Sequence, residues 1–134
     1  MSGYLLDTNA WIALLKNNPQ VVDGVRRVGI GALYLCSPDW SELWFGACNS
    51  QRVAENQGRI RDLAALVPSL PFDDRAAEHC GELRALLVRQ GRPIGPYDLQ
   101  IAAIARSAGL RLVTRNVSEF ERVPGLAVEN WQAA

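Results

Sequence analysis

The stretch Tyr4–Leu15, YLLDTNAWIALL, decides how the rest of the chain is read. Tyr4-Leu5-Leu6 is a short apolar run of strand character. Asp7-Thr8-Asn9 is a polar turn, and Trp11, Ile12, Leu14 and Leu15 then recur at helical spacing. Strand, turn and helix return further along. Leu33–Cys36 predicts a second strand, followed by a helix that carries Trp40, Leu43, Trp44 and Ala47, with Ser37 as its N-cap and Pro38 in the first helical position. Leu110–Thr114 predicts another strand, Ser69–Phe72 and Leu126–Val128 two shorter ones. Helices are predicted over Pro19–Val28, Gln51–Leu66 and Arg75–Gln90, the last capped by Asp73 or Asp74 and ended by Gly91. Strands alternating with helices imply an α/β fold with a central, mainly parallel sheet flanked by helices on both faces.

At 134 residues the chain is sized for one domain, 1–134, with a substantial core. Fourteen basic residues balance fourteen acidic ones, so net charge gives no hint of a polyanionic partner. Cys36, Cys48 and Cys80 are odd in number and widely spaced, which suits buried reduced thiols rather than a disulfide frame or a zinc site. No basic leader precedes an apolar run and no stretch has membrane-spanning length, so a cytoplasmic protein without membrane contact is expected.

IGPYDLQIAAIARSAGL, Ile94–Leu110, is a helix opened by Gly95-Pro96 and stopped by Gly109, with one charge out of place. Ile101, Ala102, Ile104, Ala105 and Ala108 form its buried stripe, and Asp98 points to the same side. A carboxylate aimed at a core is costly unless something pairs with it. Open parallel sheets bind ligands beyond the carboxyl ends of their strands. Asp7 follows the first strand directly, Glu42 lies early in the helix after the second, and Asn116 and Glu119 follow the strand ending at Thr114.

Taken singly, Asp98 could favour the positive end of its helix, Asp7 could be an N-cap, and Glu42 a solvated helix residue. Gathered on one rim, they would need a common counter-charge, either arginine or a divalent metal. Asp7, Glu42 and Asp98 offer oxygen only, which suits magnesium or manganese and disfavours zinc. His79, the single histidine, sits inside a predicted helix and is a poor candidate general base. Neither a Walker A loop nor a G-x-G-x-x-G turn is present, so metal-assisted chemistry is what remains.

Five segments in order, YLLDTNAWIALL, SELWFGA, IGPYDLQIAAIA, LVTRNVSEFERVPGL and VENW, resemble the PIN-domain ribonucleases of the VapC toxin family over nearly the whole chain. The resemblance implies a three-layer PIN-like sandwich and an endoribonuclease toxin of a toxin–antitoxin pair. Its acidic pocket would hold Mg²⁺ or Mn²⁺ on Asp7, Asp98 and Glu42. Asn116 falls where such domains place a fourth acid, and its neutrality leaves one metal or two open, as does the unassigned Glu119. Thr8, Asn9 and Thr114 would orient the carboxylates. The metal would activate water for hydrolysis of an RNA phosphodiester. Arg115 is a candidate contact to an RNA phosphate. Single-stranded or loop RNA, including transfer RNA, fits such a pocket better than a long duplex. The resemblance also implies a homodimer and a cognate antitoxin, for which Trp11, Trp40 and Trp44 are candidate groove residues, although their spacing reads first as core.

Rival classes fail on residues. Haloacid-dehalogenase-like phosphatases need a second aspartate where Asn9 stands, and receiver domains need a late lysine, whereas Lys16 is the sole lysine. A catalytically inactive PIN-fold module that binds RNA or a partner is the alternative that the sequence leaves standing.

Overall fold

Every strand of the sheet is short, two to four residues, and the central ones are apolar at consecutive positions because both faces are covered. A computed structural model describes residues 3–133. Its strands β1 (Tyr4–Leu6), β2 (Leu33–Cys36), β3 (Ser69–Leu70), β4 (Arg111–Val113) and β5 (Val128–Glu129) pair in parallel throughout, in the order β3-β2-β1-β4-β5. The two-residue period sends side chains to opposite faces. Leu5, Cys36 and Leu112 join one core with residues of α5 (Asp74–Arg89) and α6 (Pro96–Ala108). Leu6, Leu33, Leu35 and Val113 join the other with α1 (Thr8–Leu15), α3 (Ser37–Cys48) and α4 (Val53–Leu66). The result is a three-layer α/β sandwich.

The strand order explains where a site can form. From β1 the chain steps outward to β2 and β3, then returns to place β4 on the opposite side of β1. Connections leave β1 and β4 in opposite directions, and that reversal opens a crevice at their carboxyl ends. The Asp7 amide donates to the Val113 carbonyl at 3.0 Å, which ties the residue leaving β1 to β4, and the Thr114 amide donates to the Glu129 carbonyl at 2.9 Å, which ties the residue leaving β4 to β5.

Several boundaries move. The N-cap of α3 is Cys36 rather than Ser37, and Ser37 is the first helical residue, with no side-chain cap bond. Proline tolerates any position in the first turn, so Pro38 did not fix the start to one residue. Asp73, not Asp74, caps α5, accepting from Ala76 N at 2.9 Å. The fourth strand loses Leu110, whose amide instead closes α6 by donating to Ala105 O at 2.9 Å across the left-handed Gly109. The fifth strand slides to Val128–Glu129 because its register is set by Leu112 and Val113.

Helix α2 (Pro19–Val28) is held from the far end of the chain. The Trp131 ring lies on Gly24, where any Cβ would collide with it, and Tyr4 and the Arg27 guanidinium flank the same ring, each 5.6 Å away. Among the described residues no helix is long and apolar enough to cross a membrane.

Candidate metal centre

Asp7 is the first residue beyond β1, and its extended backbone makes it the N-cap of α1, with Oδ1 accepting from Ala10 N at 2.9 Å. Its other oxygen, Oδ2, accepts from the Thr114 hydroxyl at 2.6 Å. Thr114 Oγ1 in turn accepts from Asn116 N at 2.9 Å, which leaves its proton for Asp7. Asp7 is therefore a helix cap and also a fixed carboxylate, 5 % exposed, at the mouth of the crevice. Burial pushes its carboxyl above the ordinary range, against the lowering effect of the Thr114 and Ala10 bonds.

Asp98 enters from the opposite layer, in the first turn of α6 after Pro96. It is half-buried, and its carboxyl is pushed up to about 6. Burial is the largest cause, followed by the charge of Glu119, that of Asp7, a side-chain hydrogen bond with Glu119, and the charge of Glu42. Charges from three other segments thus act on Asp98 at the carboxyl end of the sheet, Glu42 most weakly. Asn116, exposed and one residue before the short helix α7 (Val117–Phe120), donates its side-chain amide to Glu119 and so aims that carboxylate inward. Glu119 belongs to the site by position, and its signal in the sequence is the three-residue step from Asn116 onto one side of a helical turn.

The other expected residues divide. Thr114 meets Asp7. Thr8 does not; its hydroxyl donates to Asp39 Oδ1 at 3.0 Å. Asn9 is exposed and makes no side-chain hydrogen bond to the carboxylates among the described residues, and Arg115 is exposed beside it on a shared depression. Glu42 exerts the weakest of the charge effects on Asp98 and lines a groove with Ile12, Leu43 and Ile60. Among the described residues no three acidic, histidine or cysteine side chains converge within ligand reach of one point. His79 lies on α5 with Nδ1 unpartnered.

Asp39 was not anticipated. It is wholly buried in the first turn of α3, and burial raises its carboxyl well above the ordinary range, with the charge of Asp7 adding to that. Thr8, Cys36 and Trp11 beside it favour the charged form, yet Asp39 Oδ2 and Trp11 Nε1 have no hydrogen bond of normal geometry. Its signal was available: Asp39, Leu43 and Ala47 recur every four residues, and the latter two are buried. Trp11 is fully buried core, whereas Trp40 and Trp44 are partly buried at a shallow depression, with Arg61 stacked 4.9 Å over Trp44. Of the thiols, Cys36 is buried, Cys80 partly so, and Cys48 is exposed, contrary to expectation, at the solvent end of α3.

The donors at the rim fit a hard divalent cation. They are oxygens alone, and the excess of negative charge has no cation of the chain in contact, since the salt bridges among the described residues are Arg52–Glu55 and Arg111–Glu129, both elsewhere. Magnesium commonly takes one or two carboxylates and keeps several waters, so Asp7 and Asp98, with Glu119 against Asp98 and Glu42 acting more weakly, fit such an ion.

The PIN domain family model matches residues 4–126. The chain is 43 % identical to the tRNA(fMet)-specific endonuclease VapC of Shigella flexneri, over 98 % of this chain and 99 % of the relative. It is 38 % identical to ribonuclease VapC2 of Haemophilus influenzae, with the same coverage. The crystal structure of DNA-bound VapBC from Salmonella typhimurium contains a chain of the same fold, with a TM-score of 0.90 and 37 % identity over 98 % of this chain and 99 % of that one.

Proposed function

The chain belongs to the PIN-domain family, among the VapC ribonucleases, and from that premise we propose that it is the toxin of a toxin–antitoxin pair and cuts RNA with Mg²⁺ or Mn²⁺ at the Asp7–Asp98 rim. The observation that carries this reading is the state of Asp98. A half-buried carboxyl raised to about 6, chiefly by burial and then by three neighbouring acids, with no arginine or lysine among the described residues in a salt bridge to it, is a group arranged for a cation from outside.

Asp7 and Asp98 would hold the ion, and Glu119 and Glu42 would add negative charge beside it. Bound there, a divalent ion lowers the pKa of water and neutralises charge on phosphate oxygens. The chain's own residues supply the orientation. Thr114 fixes Asp7 Oδ2, the start of α1 fixes Oδ1, and Asn116 fixes Glu119. A rim at the carboxyl ends of β1 and β4 suits RNA presented as a single strand or loop, and transfer RNA is the substrate class that the name of the Shigella relative suggests. A cognate antitoxin is the expected partner, because similar chains are solved as VapBC complexes. An antitoxin helix has a place to seat in the apolar groove of Ile12, Leu15, Leu43 and Ile60 beside Glu42, and a homodimer completes the assembly we expect.

The test uses antitoxin-free protein and end-labelled total small RNA, with Mg²⁺, Mn²⁺ or EDTA. Discrete fragments that need metal and vanish in Asp98→Asn support the reading. Fragments that persist in EDTA or in the variant remove it. Metal binding without cleavage would favour the inactive RNA- or partner-binding alternative.

A further inference from the structure

Beside the acidic rim lies a polar depression of about 500 Å³ with the opposite charge. Asn9 and Lys16 of the α1 segment, Asn18 before α2, Arg115 after β4 and Gln132 near the end of the chain surround it. Lys16 and Arg115 are exposed, and neither enters an ion pair among the described residues. The amides are equally uncommitted. Asn18 Oδ1 accepts from Gln20 N and Val21 N, which leaves its Nδ2 free, and the side chains of Asn9 and Gln132 make no hydrogen bond among the described residues. Gln132 is nonetheless held in place, since Trp131 sits on Gly24 and Gln20 Nε2 donates to Ala133 O at 3.1 Å.

We propose that this depression is a second RNA subsite, taking a phosphate and ribose that flank the bond to be cut. The inference rests on the RNA-cleaving reading above. A rim of four carboxylates repels a polyanion until metal is bound, so the strand needs cations elsewhere to dock. Arg115 follows Thr114, whose hydroxyl holds Asp7, and it stands beside the rim. Lys16 is nine residues beyond Asp7, or about 13 Å along α1, and its side chain also borders the groove that contains Glu42. A strand leaving the rim along α1 therefore meets Arg115 first and Lys16 next. The free amides lie where ribose hydroxyls and phosphate oxygens would pass, and the 2′-hydroxyl both donates and accepts. The volume is within the range of pockets that bind small ligands.

Binding of end-labelled total small RNA to the full chain in EDTA, followed across about 50 to 200 mM salt, tests the subsite. The double variant Lys16→Gln/Arg115→Gln is compared with Arg84→Gln/Arg89→Gln, which removes the same charge from α5. Each phosphate contact on a single strand contributes about 0.7 to the salt slope, so the first variant should flatten it by about 1.4 and the second leave it unchanged. Melting temperatures verify that all forms are folded. Metal-dependent cleavage of the same RNA by the unmodified chain is measured alongside. Cleavage with no change in slope, or with equal flattening in both variants, overturns the subsite and leaves the ribonuclease reading intact. Binding without cleavage, with the slope flattened only in the first variant, removes the ribonuclease reading and supports the depression as an RNA contact that flanks no scissile bond. Full RNA affinity in the first variant would overturn the proposal.

Discussion

Helices α3 and α6 begin almost alike, one with Ser37-Pro38-Asp39 and the other with Pro96-Tyr97-Asp98, and each places an aspartate third in the helix. Both acids point toward a core, and both carboxyls lie above their ordinary range, chiefly through burial. Their surroundings separate them. Asp39 is sealed under α1, held by Thr8, with one oxygen left unpartnered. Asp98 opens onto the crevice and faces Glu119, Asp7 and Glu42. The same local device is a structural acid in one layer and a candidate metal ligand in the other, and the position of the strand end beside it makes the difference.

The widest separation between the two acids is expected in catalysis. Asp98→Asn should reduce metal-dependent cleavage of small RNA by at least about a hundredfold, the scale of removing one group that stabilises charge in a transition state. Asp39→Asn keeps the shape and can still accept from Thr8, so cleavage should stay within a few-fold of the unmodified chain. Comparable losses in both, measured as initial rates at saturating Mn²⁺, would erase the distinction.

The two threonines sharpen it next. Thr114→Val removes the hydroxyl that fixes Asp7 and should weaken Mn²⁺ binding about 10- to 100-fold by calorimetry, the usual effect of losing a partner that orients a ligand. Thr8→Val removes the hydroxyl on Asp39 and leaves a buried acid short of a partner. That should cost about 1–3 kcal/mol in urea unfolding while metal affinity changes little.

The contrast also shows what was legible. The strand–turn–helix rhythm predicted the parallel sheet, because buried parallel strands read as apolar runs and helices carry their own period. Asp7 and Asp98 were legible because each is a charge at the edge of an apolar pattern. Strand order was not, since nothing local in Leu110–Thr114 says that it lies beside Tyr4–Leu6 rather than outside Ser69. Asp39 was not legible although it keeps the same four-residue spacing as Leu43 and Ala47, because Trp40 and Trp44 give that helix a second apolar row that the structure leaves only partly buried. The family resemblance gave Thr8 a role in orienting the rim carboxylates, but a side chain one residue past Asp7 around the helix start faces a different neighbour, Asp39.

The smallest effect expected is in stability against pH, and its sign is specific. Asp98 and Asp39 have raised folded-state values, so between the unfolded value near 4 and the folded one the native protein holds protons that the unfolded chain has released. Stability of the metal-free protein therefore falls as pH rises through that window, which closes near 6 for Asp98, and Asp39 acts in the same direction. Asp98→Asn should melt a few degrees above the unmodified chain at pH 7 and match it at pH 4. Asp39→Asn should also gain stability as pH rises above the unfolded value, since its carboxyl is raised too. Metal then tells them apart. Mn²⁺ binds the deprotonated rim, so its stabilisation grows with pH and should disappear in Asp98→Asn but persist in Asp39→Asn. A Mn²⁺-induced melting shift retained by Asp98→Asn would place the ion elsewhere and make the two helix starts equivalent after all.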